Sequence, residues 1–404
     1  MSSFQEIELR EHETRTLPRE ALSQPDGEVL WQRYGTRVVV EFPSPKTAHR
    51  WHLTPGGWVG YLVVRDGLGL ALQPKVPVGN LFQMLEVAYD LPLHLDDDIA
   101  ELASVHDFYE RLACLLARRV LQRTRRGIHR EYEPHTDHLP FLRGRLELAT
   151  LARRPWNPAL RCQFDEHTAD LEDNRILSWT LLRIARSALC GTRSRPPVVR
   201  AYRALAGAAP PVPVVPGICA GRTYTRLNED YRALHALCRF FLETTGPTHE
   251  CGDRSMLPFL VNMANLFERF VSEWLRRKLP PELVLEAQYN KPLGESGAVK
   301  FRMDIVVREA RSGRPVCVLD TKYKAGVEPK PSDVAQVVAY AEAIGCETAI
   351  LVYPRDVSSF TGAQVGRIEV KSLALDLTGE LEPAGRRFLA ELLPLCRGPG
   401  GSSS

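Results

Sequence analysis

The sequence predicts a multidomain α+β protein. A β-rich N-terminal domain is expected over residues 1–110, a mostly helical, arginine-rich middle region over 111–250 and a mixed α/β domain over 251–390, with a flexible tail at 391–404. Three observations carry this expectation. Runs of β-branched and aromatic residues broken by Pro/Gly clusters fill the first part of the chain. The hydrophobic period then changes from two to about 3.6 residues. After Gly252 the pattern becomes helix, three strands, helix, strand, the signature of a compact α/β unit. A length of 404 residues suits about two or three domains. With 44% hydrophobic and 25% charged residues, a disordered, collagen-like or disulfide-stapled chain is excluded.

The β-rich reading runs from Val29 to about Val78, where TRVVVEF (36–42) and WVGYLVV (58–64) are separated by turn-forming TPGG and RDGLG. Helical spacing begins at NLFQMLEVAYDL, with Asn80 as the expected N-cap. It continues through residues 107–123, 174–189 and 225–243, while APPVPVVP (209–216) is a proline-rich connection. Residues 256–279 read as one strong helix, with Leu260, Met263, Phe267, Phe270, Val271 and Trp274 on its apolar face. Strands are expected at 283–288, 299–307, 315–323 and 348–354, and a helix at 332–345 between Ser332 as N-cap and Gly345 as its stop.

Several functions are set aside by what the sequence lacks. The start MSSFQEIELREH has no apolar core of a secretory signal, and no run is long and apolar enough for a membrane helix. Nine cysteines without a CxxC pair read as reduced thiols of a cytoplasmic protein. There is no GxxxxGK[ST], so no nucleotide is expected on this chain through a Walker A loop, and no GxSxG nucleophile motif. His135-x-x-His138, with His129 nearby, lies in a segment that reads as a loop and lacks an acid or cysteine to complete a ligand set.

Net charge is only +3, yet residues 111–161 hold twelve arginines and four acids. This belt reads either as a polyanion-binding surface, with Arg123, Arg125 and Arg126 as its centre, or as a solvated helix end. Lysine is scarce, nine against 43 arginines, and Lys322, Lys324 and Lys330 lie close together. Lys324 joins the candidate nucleic-acid contacts.

The chemistry concentrates in MDIVV, with Asp304, and VLDTKYK, with Asp320 and Lys322. Residues i and i+2 of a strand share a face, so Asp320 and Lys322 project together. Alone, the pair reads first as a buried ion pair at a strand end. Asp304 lies one hairpin earlier, and strands about 4.8 Å apart bring two carboxylates onto one ion. Two carboxylates plus water is a usual way to hold Mg²⁺, with Mn²⁺ able to substitute, and the Thr321 carbonyl is a further ligand. Such an ion would polarise a scissile phosphate while Lys322 holds or activates the attacking water. Glu268 sits at the border of an apolar helix face, as a further metal ligand or as an ordinary boundary glutamate. Gln336 and Tyr340 share a helix face, either bracing Lys322, touching the phosphate backbone or simply meeting solvent.

The set Asp304…Asp320-Thr321-Lys322 with Gln336-x-x-x-Tyr340 resembles the PD-(D/E)XK nuclease superfamily, although Met303 stands where the proline would be. Together with LQPKVPVGNLFQMLEVAYDLP (72–92), FLRGRL (141–146), FDEHTADLEDNRIL (164–177), NLFERFV (265–271) and LDTKYK (319–324), it is similar to the McrC family over about residues 60–375. The resemblance implies a C-terminal nuclease domain with Asp304 and Asp320 as metal ligands, Lys322 as catalytic residue and Glu268, Gln336 and Tyr340 in support. It also implies a Mg²⁺-dependent endonuclease subunit of a modification-dependent restriction system. The partner would be a GTP-hydrolysing AAA+ McrB-like ring, docked on the β-rich N-terminal domain (1–110) and the helical middle region and stimulated by docking, and the substrate methylated double-stranded DNA. Two alternatives remain at this level: a non-catalytic activator of such a ring, or a related nuclease acting on RNA or single strands.

Overall fold

The computed structural model describes residues 5–90, 104–245 and 250–397, apart from residues 66, 154–155, 157, 188, 252–253, 256–257, 294–298, 325–328 and 357–359. The chain divides into two compact units, Met1–Phe108 with Pro258–Ser404, and Tyr109–Leu257.

The first unit opens with β1 (Gln5–Arg10), β2 (Arg15–Leu17), α1 (Gln24–Tyr34), β3 (Val38–Glu41), β4 (Trp51–Pro55), β5 (Trp58–Arg65), β6 (Leu68–Gln73) and α2 (Val78–Ala88). The strands β2-β4-β3 form an antiparallel sheet, while β1 runs parallel to β6, which pairs antiparallel with β5. Leu9, Leu30, Trp51, Leu53, Leu62 and Leu70 make the core between them. The strand-like reading from Val29 is corrected over 29–34, which belong to α1. That helix starts at a capping box, Ser23 Oγ accepting from Asp26 N at 3.3 Å and Asp26 Oδ2 from Ser23 N at 3.1 Å. Asn80 is not the N-cap of α2, where Pro77 stands. Its side chain instead donates to the carbonyls of Leu377 at 2.8 Å and Gly379 at 2.7 Å, tying the two halves of this unit together.

The second unit holds most of α3 (Val105–Arg126), then β7 (Glu131–Leu139), β8 (Arg145–Leu146), α4 (Leu148–Arg153), β9 (Leu160–Thr168), α5 (Glu172–Arg186), α6 (Arg195–Ala206), α7 (Tyr231–Thr244) and the two-residue strands β10 (Glu250–Cys251) and β11 (Arg254–Ser255). Its helices bury Leu116, Leu177, Leu181, Leu237 and Phe241. The mostly helical expectation omits a three-stranded sheet, β7-β9-β8, in which β7 and β9 pair from Glu131↔Thr168 to Leu139↔Leu160. The segment read as a loop around His135 and His138 is therefore strand.

The first unit resumes with β12 (Phe259–Asn262), α8 (Met263–Lys278), β13 (Leu283–Leu293), β14 (Val299–Glu309), β15 (Pro315–Thr321), α9 (Pro331–Ile344), β16 (Thr348–Tyr353), β17 (Gly362–Val365), β18 (Ile368–Ala374) and α10 (Leu381–Arg397). The helix expected over 256–279 is shorter. Residues 256–257 lie outside the described residues, and Phe259–Asn262 add a strand to β5 before Asn262 caps α8 through Asn265 N at 3.1 Å. Pairing outweighs periodicity here because β5 would otherwise have an open edge. Gly60 permits it: with φ 143°, a Cβ there would stand 2.0 Å from the Phe259 carbonyl. The N-terminal sheet and the C-terminal domain are thus one unit rather than separate domains.

A six-stranded sheet of order β13-β14-β15-β16-β18-β17 organises the rest. β13, β14 and β15 form an antiparallel meander, and β15, β16 and β18 run parallel, with α9 as the crossover between the first two. α9 packs its Val337, Tyr340 and Ala341 on Val318, Leu351 and Val370, while α8 and α10 also pack against the sheet. Gly345 ends α9 at φ 74°, but its N-cap is Lys330, not Ser332. Residues 391–397 belong to α10, with Leu392 and Cys396 buried, so they are not tail. No described helix is long and apolar enough to cross a membrane.

Candidate active site

The site is built at the point where the meander meets the parallel half of the sheet. Ile305 pairs with Leu319, which places Asp304 of β14 and Asp320 of β15 side by side on the next rung. Val306 and Val318 continue the same face into the core under α9. Thr321 fixes Asp304, whose Oδ2 accepts from both its backbone N–H and its hydroxyl at 2.8 Å. Asp320 is 2% exposed, and the Lys322 ammonium stands 2.6 Å from its Oδ2. That contact is a short charge-assisted pair between a buried carboxylate and a cation. Lys322 in turn donates to Gln336 Oε1 at 3.0 Å, and Gln336 Nε2 donates to the Tyr340 hydroxyl at 2.7 Å. Gln336 and Tyr340 thus brace Lys322, the first of the three roles open to them from sequence.

The electrostatics show crowded negative charge. Burial first, and then the neighbouring Asp304, push the Asp320 carboxyl up to about 6 despite Lys322. Glu268 on α8 is pushed up to about 7 by burial, then by Asp304, with Asp320 adding to it against the opposing Arg302 and Arg269. Burial alone would lower the Lys322 ammonium, but its contact with Asp320 and the surrounding carboxylates hold it above the usual lysine range. Lys322 is therefore a fixed cation at neutral pH.

Among the described residues no group of three or more His, Cys, Asp or Glu side chains that could hold a metal ion is found. Two adjacent carboxylates, Asp304 and Asp320, remain as a donor set that fits a hard cation keeping several waters. Sequence reasoning missed Gln288. It falls between the Ala287↔Ile305 and Tyr289↔Met303 pairs, opposite Asp304, and adopts φ 54°, a left-handed conformation rare for its type. Its side chain accepts from Arg302 Nε. No sequence signal marks such a position.

Other expected contacts are used elsewhere. Lys324 reaches both carboxylate oxygens of the buried Asp333, at 2.5 and 2.7 Å, so it secures the start of α9 instead of standing free for a polyanion. Arg123 lies over the Tyr231 ring at 5.2 Å, donates to the Leu227 carbonyl at 3.0 Å and pairs with Asp230 at 3.2 Å. Arg125 and Arg126 are exposed on the last turn of α3. In the motif 164–177, Asn174 donates to the carbonyls of His129 at 2.8 Å and Ala169 at 2.7 Å, and Asp173 accepts from Asn228 at 3.0 Å. This motif holds the second unit together.

Comparison with known proteins gives a family and a fold likeness. Residues 53–354 match the family described as McrBC 5-methylcytosine restriction system component. The chain is 24% identical over 262 residues, 62% of its own length and 74% of the relative's, to the type IV methyl-directed restriction enzyme EcoKMcrBC of Escherichia coli (strain K12). Its backbone matches a chain of the refined half-complex from the tetradecameric assembly of Thermococcus gammatolerans McrB AAA+ hexamers with bound McrC. The TM-score is 0.57 at 20% identity, covering 96% of this chain and 100% of that one. At that identity the likeness speaks for the fold alone.

Proposed function

This chain belongs to the McrBC restriction-component family, and from that premise we propose that it is a PD-(D/E)XK endonuclease subunit, hydrolysing phosphodiester bonds of methylated double-stranded DNA. The observation that carries the reading is the buried Asp320 carboxylate, side by side with Asp304 and paired with Lys322 at 2.6 Å, yet still pushed up to about 6. A Mg²⁺ ion held there would polarise the scissile phosphate and stabilise the departing oxygen.

The chain's own residues supply the rest. Thr321, by donating to Asp304 Oδ2 through its N–H and hydroxyl, would leave the other carboxylate oxygen available to hold the ion. Lys322, charged and braced by Gln336, holds the attacking water or a phosphate oxygen by donation from Nζ and offsets charge gathering on the phosphorus-bound oxygens. Because it stays protonated, it positions that water without taking its proton. Glu268, pushed up to about 7, is the group able to accept a proton at neutral pH at its carboxylate.

The partner in this reading is a GTP-hydrolysing AAA+ ring whose turnover docking stimulates, as McrB AAA+ hexamers hold McrC in the Thermococcus assembly. The β7-β9-β8 ribbon is the docking surface we assign to it. Nearly all of β7 is exposed, and Tyr132, Phe141, Leu142, Leu148 and Trp156 are 57–78% exposed on and around the ribbon, an apolar display that a partner would cover.

The test is cleavage of methylated and unmethylated plasmid in Mg²⁺, with and without the neighbouring NTPase and GTP. Cutting should require Lys322 and fall by orders of magnitude in Lys322→Ala. GTP turnover stimulated without any cutting would instead make the chain a non-catalytic activator.

A further inference from the structure

The first unit carries a trough that the active site does not account for. A cavity of about 900 Å³ runs along the outer side of β1, lined among others by Arg10, Arg15, Lys75 and Arg355, with Glu8 and Glu13 as its acids. A smaller depression shares Lys75 and Arg355 and adds Tyr323 and Lys324, the residues directly after Lys322. Arg355 lies just beyond β16, whose Val352 carbonyl accepts from Lys322 N at 2.8 Å. The trough therefore ends at the carboxyl edge of β15 and β16, where open α/β sheets bind ligands.

Its charge is only partly offset within the chain, where Lys75 acts on the buried Glu11 and Arg355 on Asp376. Arg15 donates to the backbone carbonyl of Glu8, not to its carboxylate. Lys324 is held by Asp333, but Arg10, Lys75 and Arg355 form no ion pair among the described residues. Four cations against two acids line the trough, an excess of positive charge that favours an anion there. The anion must be extended, because the lining reaches from β1 to Tyr323. It needs no apolar slot, since the cationic residues are contributed from the rim.

We propose that this trough carries the phosphodiester backbone of the DNA strand to be cut, gripped by Arg10, Lys75 and Arg355 on its way to Lys322. The proposal rests on the nuclease reading above and adds where the strand lies. It also gives the LQPKVP block a role, since Lys75 is its only charged residue.

The experiment replaces Arg10, Lys75 and Arg355 together by Gln in the full chain. A fluorescein-labelled 30-base-pair duplex is titrated without metal between 50 and 200 mM salt. Each phosphate contact on a duplex contributes a slope of about 0.9 in log affinity against log salt, so losing three should flatten it by about 2.7 and weaken binding at least about tenfold at 100 mM. Arg200→Gln with Arg203→Gln on α6, both exposed, is the control expected to bind as wild type. Should the triple variant fail to fold, Arg355→Gln alone should flatten the slope by about 0.9. Wild-type affinity and slope in the variants, with Lys322-dependent cleavage intact, would overturn the trough and leave the nuclease reading standing. Unchanged DNA affinity with loss of binding to the partner ring would overturn it in favour of an acidic protein surface. A wild-type chain that neither binds the duplex nor cuts it with its partner would bring down both.

Discussion

The pH dependence of cation binding counts the carboxylates that hold the ion. Asp320 and Glu268 are pushed up to about 6 and about 7. Both have folded-state values above their unfolded ones, so protons favour the metal-free fold. Their stabilising contribution is fully present below the unfolded values near pH 4 and is lost as pH rises through 6 and 7. For the nearly buried Asp320 this loss amounts to about 3 kcal/mol, the strain a cation would relieve. At pH 5.5 about a quarter of Asp320 and about one thirtieth of Glu268 carry charge, against nearly all and about nine-tenths at pH 8. If binding requires Asp320 ionised but not Glu268, Mg²⁺ affinity should rise about fourfold between these pH values; if both must ionise, about a hundredfold. Isothermal titration of Mg²⁺ into the full chain at the two pH values measures the ratio. Glu268→Gln should reduce a hundredfold dependence to about fourfold, with a tenfold or larger loss of cleavage. Affinity that is independent of pH, or that survives in Asp320→Asn, would refute a cation site at these carboxylates.

Three further substitutions test the frame around the site. Asn80→Ala removes both donors to the Leu377 and Gly379 carbonyls and should cost about 2–4 kcal/mol in denaturant unfolding, whereas a neutral result would mean water replaces them. Arg123→Ala should destabilise by about 1–3 kcal/mol through its lost stacking on Tyr231 and its ion pair, while Arg125→Ala with Arg126→Ala should leave stability within about 0.5 kcal/mol; equal effects would contradict the assignment. Burial pushes the Asp333 carboxyl up, but Lys324 and the Lys330 N–H outweigh it and hold it below the usual range, so its stabilising contribution is present above about pH 4 and lost below. Asp333→Asn should therefore cost about 2 kcal/mol at pH 7, less at pH 3, and slow cleavage by loosening α9 while leaving Mg²⁺ affinity within about twofold.

Sequence alone anticipated the juxtaposition of Asp304, Asp320 and Lys322 better than the architecture around it. A run such as PVCVLDT states its own strand, and the i, i+2 rule places Asp320 beside Lys322 with no knowledge of the rest. The antiparallel partner carrying Asp304 follows from the hairpin. Long-range pairing leaves no such local trace. Phe259–Val261 fit a helical stripe as well as a strand, and only the open edge of β5 decides between them. Ser23, Pro25 and Asp26 carry the local signature of a helix start, although the β-branched runs downstream dominate that stretch of sequence. Gln288, the destination of the Asn80 amide and the split of the arginine belt into stacked Arg123 and exposed Arg125 and Arg126 all depend on partners far away in sequence.

The two lysines of DTKYK show why residue type and proximity do not settle a role. Both are within two residues of each other at the end of β15, and both meet an almost buried aspartate. Lys324 meets a carboxylate that also caps α9, accepting from Lys330 N at 3.1 Å, and its partner is held low in pKa by these contacts. That pair is satisfied, and a ligand would gain little by disturbing it. Lys322 meets a carboxylate that remains pushed up to about 6 in spite of it, with a second acid alongside. A satisfied pair is structure; a pair left with excess negative charge is a place for a cation. The same contrast separates the charges of the trough from those of α3. Arg123 has its aromatic ring, carbonyl and carboxylate already in place, whereas Arg10, Lys75 and Arg355 have no internal ion pair. Charge that the fold leaves uncompensated, of either sign, lies at the one edge of the sheet where Lys322 emerges.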